Sequence, residues 1–168
     1  VASAAQSEAS AAAAQEAAER ARLVRGTLDV LGLSQVPVGV GTDGGSARHT
    51  DTFSATAAGY MPSSNKQIHP DGQALLKDIY LAARFSSVTL LCISSLTDAA
   101  QFLRENEALF VQKTKSVTIQ GGVVLSEAGT FLEPDSAQNN VFDKKASNFF
   151  YRRLQELSIP IAVVSRFA

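Results

Sequence analysis

The sequence predicts an α/β fold in which a parallel, Rossmann-like sheet carries helices on both faces. Short apolar runs rich in β-branched residues alternate along the chain with amphipathic helical patterns, which is typical of βαβ units. The clearest unit is the stretch 88–122, in which an apolar run, a helical pattern and a second apolar run lead to Gly121 and Gly122. Because ligands bind at the carboxyl ends of parallel strands, we expect a site where these two strands end.

The remaining elements continue the same alternation of helix and strand. An alanine-rich start leads into a helix that we expect to stop at Gly32. Beyond the central unit, the patterns predict a strand at 36–40, helices at 71–84 and 143–157, and a last strand at 160–164. The stretches 41–70 and 123–140 show no clear period, and we expect them to be irregular. Four strands are visible, which is few for such a sheet.

The chain divides by composition into two segments. Residues 1–21 combine high helix propensity with few large apolar side chains, which indicates an exposed helix or a linker. Residues 22–168 carry the α/β pattern. Because the chain starts with Val rather than Met, we expect a processed piece of a longer protein, with an organelle as one destination. Glu8, Glu16 and Glu19 argue against an intact transit peptide, so the compartment stays unknown.

Length and charge narrow the classes of function. A chain of 168 residues with 45% hydrophobic residues can bury the core of one soluble domain. Its net charge of −1 provides no field that attracts nucleic acid or anionic lipid. The apolar runs are too short to form a transmembrane helix. We therefore expect neither a nucleic-acid partner nor insertion into a membrane.

The single cysteine and a glycine-rich segment are weak site candidates. Cys92 stands inside an apolar strand, where burial raises the pKa of a thiol, so we expect a structural residue and not a nucleophile. Residues 39–44 match the pattern G-x-G-x-x-G, but no convincing apolar helix follows them. A turn with positive φ is the simpler interpretation. A nucleotide-binding loop stays the weaker alternative.

Oxygen-rich side chains cluster in the second irregular stretch. The residues are Glu133, Asp135, Asn139, Asn140 and Asp143, and such a set suits a hard cation or sugar hydroxyls. A solvated loop is the simpler expectation for Glu133 and Asp135, and N-capping of the following helix for Asp143. Asn139 and Asn140 are turn residues or ligand-binding amides, and the sequence leaves both interpretations open.

The two histidines lie in the first irregular stretch. His49 stands in a loop rich in Thr and Asp after a predicted strand, and it is the better site candidate. His69 precedes Pro70 and indicates the entry of a helix. Ser94 and Ser95 follow the strand at 88–92, where capping of the next helix explains them.

Several spaced motifs of the chain resemble, in the same order, the motifs of one known family. Val88-Thr89-Leu90-Leu91 with Ser95-Leu96-Thr97-Asp98-Ala99-Ala100 resembles V-T-L … G-P-L-T-N-x-A. Val117-Thr118-Ile119-Gln120-Gly121-Gly122 resembles I-V-x-M-G-G, and Asn139-Asn140-Val141-Phe142-Asp143 with Ala146 resembles N-[VI]-[FY]-x-D-P-E-A-A. Leu28-Asp29-Val30-Leu31-Gly32 with Val36-Pro37-Val38, and Ser158-Ile159-Pro160-Ile161, fit the same order. Together these motifs resemble the inosine/uridine-preferring nucleoside hydrolase family. The resemblance covers about residues 22 to 168 and implies a nucleoside hydrolase-like fold that is incomplete here.

The resemblance also implies a chemistry. Nucleoside hydrolases cleave the N-glycosidic bond of ribonucleosides with a Ca²⁺ ion that activates water and binds the ribose hydroxyls. Carried over by motif, the backbone carbonyl of Ile93 matches a calcium ligand and Asn139 matches a ribose-binding asparagine. Gln120 takes the place of a substrate-contacting methionine, and His49 falls near a loop histidine.

The departures from the family bear on catalysis. The aspartate cluster D-x-D-x-x-x-D-D does not stand upstream of Leu23, and Ala137 replaces a ribose-binding glutamate. Ser94-Ser95 and Asp98 replace Gly-Pro and Asn, and the expected His-Asp pair falls beyond Ala168. We therefore expect a non-catalytic structural or binding subunit, in a larger assembly or a homo-oligomer. The alternative is a fragment of an active Ca²⁺-dependent nucleoside N-ribosyl hydrolase whose catalytic ends lie outside this chain.

Overall fold

The computed structural model describes residues 2–42, 44, 58–61 and 67–165, with side chains described from residue 14 onward. Its contacts divide the chain into two compact units. The first contains Val1–Asp43 and Arg48–Leu75, and the second contains Gly44–Ala47 and Leu76–Ala168. Both units combine helices with parallel strands, so the predicted α/β class with parallel sheets is confirmed.

The first unit consists of a long helix and a small parallel sheet. Its elements are α1 (Ala2–Val30), β1 (Val38–Gly39), a 3-10 turn (Ala58–Tyr60) and β2 (Ile68–His69), after which α2 (Gly72–Ala82) begins. Strand β1 pairs in parallel with β2. Helix α1 ends before Gly32, whose φ of 73° confirms the predicted stop. The helix runs unbroken across residue 21, and a separate segment of residues 1–21 stays a prediction.

A buried arginine anchors the chain after α1. Arg25 is 1% exposed, and its guanidinium donates to the carbonyl oxygens of Val36 at 2.6 Å and Leu33 at 3.1 Å. It also pairs with Asp29 at 2.9 Å. A charge this deeply buried is tolerated only when its donors are satisfied, so Arg25 fixes the segment that leads into β1.

The second unit contains a three-stranded parallel sheet, a hairpin and four further helices among its described residues. In chain order its elements are β3 (Val88–Cys92), α3 (Thr97–Glu105), α4 (Glu107–Lys113), β4 (Thr114–Gln120), β5 (Val123–Leu125), β6 (Leu132–Pro134), α5 (Gln138–Phe142), α6 (Lys144–Glu156) and β7 (Ile161–Val164). The parallel sheet has the order β3-β4-β7, and β5 pairs with β6 in antiparallel fashion. None of the described helices combines the length and apolar character that a membrane crossing requires.

The described residues hold seven strands, three more than the sequence pattern indicates. The additional strands β2, β5 and β6 lie in the two stretches that we expected to be irregular. They contain two or three residues each, too few to show an alternating pattern. The helical pattern between β3 and β4 also forms two helices, because the chain leaves helical geometry at Asn106, where φ is −131°.

The core of the second unit packs one face of the sheet against helices. Alternate strand residues Cys92, Val117 and Ile119 are buried there. The aromatic rings next to them come from α2, α3, α4 and α6, namely Tyr80, Phe102, Phe110 and Phe150, with centroids 4.7 to 6.3 Å apart. Leu91 and Val164 alternate with these core positions and are 60% and 48% exposed. The helices therefore cover the face of the sheet that carries Cys92, Val117 and Ile119, and they leave Leu91 and Val164 on the other face exposed.

Replacing Arg25 with methionine is expected to destabilise the first unit. Arg25→Met keeps much of the apolar stem but removes the donor of the Val36 carbonyl and one of the two donors of the Leu33 carbonyl, which should cost about 3 kcal/mol. Equilibrium urea unfolding measures the change. Arg20→Met is the control, because the ion pair of Arg20 with Glu16 is exposed and should contribute less than about 1 kcal/mol. Equal losses in both variants would contradict the anchoring role of Arg25.

Candidate functional site

A glycine turn follows β4 at the edge where the parallel strands end. The amide of Gly121 donates to the carbonyl of Val164 at 3.0 Å, and the amide of Asp135 donates to the carbonyl of Gly122 at 3.0 Å. A Cβ on Gly121 would stand 3.1 Å from both Asn140 Oδ1 and the Tyr151 hydroxyl. A Cβ on Gly122 would overlap the Asp135 carboxylate. Polar side chains pack so close to the backbone of this turn that they leave no room for a Cβ atom at either position.

Asn140 fastens the short helix α5 to this turn. It is 2% exposed, and its Nδ2 donates to the carbonyl of Gly122 at 2.9 Å and to Asp135 Oδ1 at 3.3 Å. The same Asp135 oxygen accepts the amide of Ala137 at 2.7 Å. Ser147 of α6 donates its hydroxyl to the carbonyl of Asn140 at 2.9 Å. Asn140 and Asp135 therefore fix the segment that brings Asn139 to the strand end.

Two of the four predicted site positions are in contact. Asn139 donates from Nδ2 to the backbone carbonyl of Gln120 at 2.9 Å, and the side chain of Gln120 is exposed at the end of β4. Ile93 follows β3 and is 63% exposed. Since Cys92 pairs with Ile119, the ends of β3 and β4 lie at the same edge of the sheet. His49 lies outside the described residues, and the ligand contacts of all four positions stay predictions.

A second chain of hydrogen bonds ties the end of β3 to α6. Asp143 accepts the Thr97 hydroxyl at 3.0 Å, and Thr97 Oγ1 lies 2.8 Å from Ser95 Oγ. The other Asp143 oxygen accepts the amide of Ala146 at 3.0 Å, which confirms its predicted N-capping role. Because a carboxylate only accepts, Thr97 donates to Asp143 and Ser95 donates to Thr97. The loop after β3 thus has a fixed position relative to α6.

Burial raises the pKa of two groups beneath this edge. The pKa of Cys92 rises to about 12, which keeps the thiol protonated at neutral pH and confirms a buried structural cysteine. The pKa of Tyr151 also rises to about 12, mainly because of burial and secondly because of the Asp135 carboxylate, while the Asn140 amide opposes the shift. Tyr151 is therefore a neutral hydroxyl throughout the physiological range.

The carboxylates of the second irregular stretch do not gather into a metal site. Within the described ranges, no group of three or more His, Cys, Asp or Glu side chains could hold a metal ion. Glu133 is exposed, as expected for a solvated loop, whereas Asp135 is partly buried and hydrogen bonded. Because Ca²⁺ takes 6–8 oxygen ligands, the described residues alone do not fit a calcium ion. That Ca²⁺ binds here stays a prediction, and it requires further oxygen ligands from outside the described residues.

The glycine pattern at 39–44 has a packing explanation at its first position. A Cβ on Gly39 would stand 2.7 Å from the Cα of Gly72, so two backbones approach closely there. Gly44 has a φ of 75°, which agrees with the turn that we expected, and Asp43 lies outside the described residues. His69 accepts the amide of Asp71 at 3.2 Å just before α2, as helix-entry scaffolding would. None of these observations points to a phosphate.

Tyr151 is the site residue that the sequence does not reveal. It stands in the pattern of α6 among aromatic residues that face the core, where a tyrosine looks like one more apolar position. Its hydroxyl reaches the Gly121 turn, 30 residues earlier in the chain. The sequence shows only that this apolar helix face carries one polar atom, the tyrosine hydroxyl. It does not indicate which residue that hydroxyl lies against.

Solved structures that share the fold of this chain include two effector proteins, although no family model and no curated protein matches it. The first is the type III effector protein XopQ complexed with adenosine diphosphate ribose, with 27% identity, a TM-score of 0.76 and coverage of 91% of this chain. The second is the effector protein XOO4466, with 26% identity, a TM-score of 0.74 and the same coverage. The chain spans 46% and 44% of their lengths. These likenesses support a nucleoside hydrolase-like fold, in agreement with the motifs of the sequence.

Replacing Gly122 with alanine tests how tightly the turn is packed. Gly122→Ala places a methyl group against the Asp135 carboxylate, and we expect a loss of about 1–3 kcal/mol because backbone or carboxylate must move. Chemical denaturation followed by circular dichroism measures the loss. Gly59→Ala is the control, because a Cβ there meets no atom of the described residues within 4 Å. A Gly122→Ala variant as stable as the control would show that the turn is loosely packed.

Proposed function

We propose that this chain is a nucleoside hydrolase-like domain that binds a ribose-containing ligand where β3 and β4 end. The observation that carries the proposal is the contact of Asn139 with Gln120, since both positions match substrate-contacting positions of the family motifs. A further support is the complex of the similar protein XopQ with adenosine diphosphate ribose. The ligand class is thus a ribose joined to a base or a diphosphate.

The groups at the strand ends suit the hydroxyls of ribose. Asn139 uses its Nδ2 to hold the carbonyl of Gln120, which leaves its Oδ1 to accept a hydrogen bond from a sugar hydroxyl. The exposed amide of Gln120 offers both a donor and acceptors. The carbonyl that follows β3 at Ile93 offers another acceptor at the same edge.

These 168 residues bind the ligand without hydrolysing it in the function that we propose. Ala137 stands two positions before Asn139, where the family motif has a ribose-binding glutamate, so one transition-state contact is missing. The alternative is a portion of an active N-ribosyl hydrolase. In that case carboxylates beyond the described residues would complete a calcium site with the Ile93 carbonyl, and the metal would lower the pKa of a bound water.

Isothermal titration with adenosine diphosphate ribose tests the binding. We expect saturable binding to the wild-type chain and a dissociation constant about tenfold higher for Asn139→Ala, which loses one ligand contact and the bond to Gln120. Asn148→Ala is the matched control, because Asn148 is exposed on α6 and the substitution removes the same atoms. Binding that is absent in the wild type, or equally weakened in both variants, would refute the proposal.

An assay for released ribose separates binding from hydrolysis. With inosine or uridine as substrate, we expect no turnover by the purified chain with or without added Ca²⁺. Turnover that depends on Ca²⁺ would favour the hydrolase alternative over the binding proposal.

A further inference from the structure

A glutamine side chain of α6 closes the outer edge of the hairpin strand β6. Gln155 Nε2 donates to the carbonyl of Leu132 at 2.8 Å, and Gln155 Oε1 accepts the amide of Leu132 at 2.8 Å. The ladder of the hairpin bonds Ser126 to Phe131, so the backbone groups of the next residue, Leu132, point away from β5. The glutamine amide therefore occupies the place that a third strand would take at this edge.

The orientation of the Gln155 amide is fixed by three hydrogen bonds. Its Nε2 also donates to the carbonyl of Tyr151, one turn earlier in α6, at 2.9 Å, so both amide hydrogens have acceptors. If the amide turned by 180°, its oxygen would face two carbonyl oxygens and its NH₂ group would face the Leu132 amide. All three contacts would then become repulsive, so the observed orientation is strongly preferred.

A second contact from α6 holds the residue before Leu132. The guanidinium carbon of Arg152 lies 3.5 Å from the centroid of the Phe131 ring. Arg152 and Gln155 are three residues apart, so they lie on the same side of the helix. Two side chains of α6 thus bind two successive residues of the hairpin, and β6 is fastened to the helix along its length.

Strand β6 leads directly into the residues that order the candidate site. Asp135 follows its last residue, and the Asp135 amide continues the hairpin ladder by donating to the carbonyl of Gly122 at 3.0 Å. The Asp135 carboxylate accepts Asn140 Nδ2 at 3.3 Å. Asn140 belongs to α5, where its neighbour Asn139 donates to the carbonyl of Gln120. The position of β6 therefore bears on the position of Asn139 through an unbroken series of hydrogen bonds.

We propose that Gln155 is a positioning residue of the ribose site and acts through β6 and Asp135. By fixing β6 against α6, it keeps Asp135 at the Gly122 turn, and Asp135 in turn orders α5 and Asn139. Its effect on ligand binding rests on the proposed function. The ordering of Asp135 can be measured without a ligand.

Amide hydrogen exchange tests the ordering in the absence of a ligand. In Gln155→Ala we expect the Leu132 amide to exchange about tenfold faster, because its acceptor is gone. We expect the Asp135 amide to exchange about tenfold faster as well, because the released strand opens more often. Faster exchange at Leu132 with unchanged exchange at Asp135 would show that Gln155 caps an edge only, and would overturn the inference.

Gln101→Ala is the matched control for the exchange experiment. Gln101 is partly buried on α3, as Gln155 is on α6, and the substitution removes the same atoms. Its amide donates within its own helix, to Glu105 at 3.1 Å. The exchange rates of Leu132 and Asp135 should therefore match those of the wild type.

Gln155→Glu separates the hydrogen bonds from the packing. At pH 7 the introduced carboxylate accepts the Leu132 amide but repels the carbonyl oxygens of Leu132 and Tyr151. At pH 4 a protonated carboxyl donates one hydrogen bond and accepts another, as the amide does. We therefore expect a melting temperature below that of the wild type at pH 7 and close to it at pH 4.

The two proteins are compared at the same pH, because both carry the neighbouring charges of Arg152, Glu133 and Glu156. A melting temperature that stays equally far below the wild type at both pH values would show that the hydrogen bonds of Gln155 do not hold β6. That result would also overturn the inference.

Titration with adenosine diphosphate ribose at pH 7 tests the effect on the site. We expect the dissociation constant of Gln155→Ala to be about fivefold higher than that of the wild type, because the competent arrangement is less populated. Gln101→Ala should bind as the wild type does. If the wild type binds and Gln155→Ala binds equally well, Gln155 only fastens the hairpin and the inference fails. If the wild type does not bind, the proposed function fails, and the exchange of the Asp135 amide alone decides whether Gln155 orders Asp135.

Discussion

The close packing of polar side chains around Gly121 and Gly122 is the constraint on which the candidate site depends. The space of two missing Cβ atoms is taken by the Asp135 carboxylate, the Asn140 amide and the Tyr151 hydroxyl. Because those groups pack directly against the two glycines, the hairpin, α5 and α6 all contact the end of β4. A side chain at either glycine would force these elements apart. The absence of side chains at these two positions therefore determines how the elements pack at the carboxyl end of β4.

Rigid elements support the residues that face a ligand. Asn139 is partly buried and stands next to the buried Asn140, so the candidate residue is positioned by its buried neighbour. At the neighbouring strand end, Asp143 caps α6 and also orients Thr97. A site whose residues are supported by buried hydrogen-bonded neighbours loses less side-chain entropy when a ligand binds, because its side chains are already ordered.

The relation to larger proteins limits what these residues do by themselves. The similar effector XopQ holds adenosine diphosphate ribose, and this chain spans 46% of its length. Among the described residues, amide and carbonyl groups stand at the ends of β3 and β4, and no group of three or more His, Cys, Asp or Glu side chains could hold a metal ion.

The sequence by itself determined the alternation of helix and strand, the βαβ unit at 88–122, the stop at Gly32 and the cap at Asp143, because each depends on residues near one another in the chain. It also identified Asn139 and Gln120 as candidates through spaced motifs. It did not indicate the two- and three-residue strands or the partly buried state of Asp135. Only the tertiary structure brought Tyr151 and Asn140 to Gly121, since contacts between distant segments depend on packing and leave no local period.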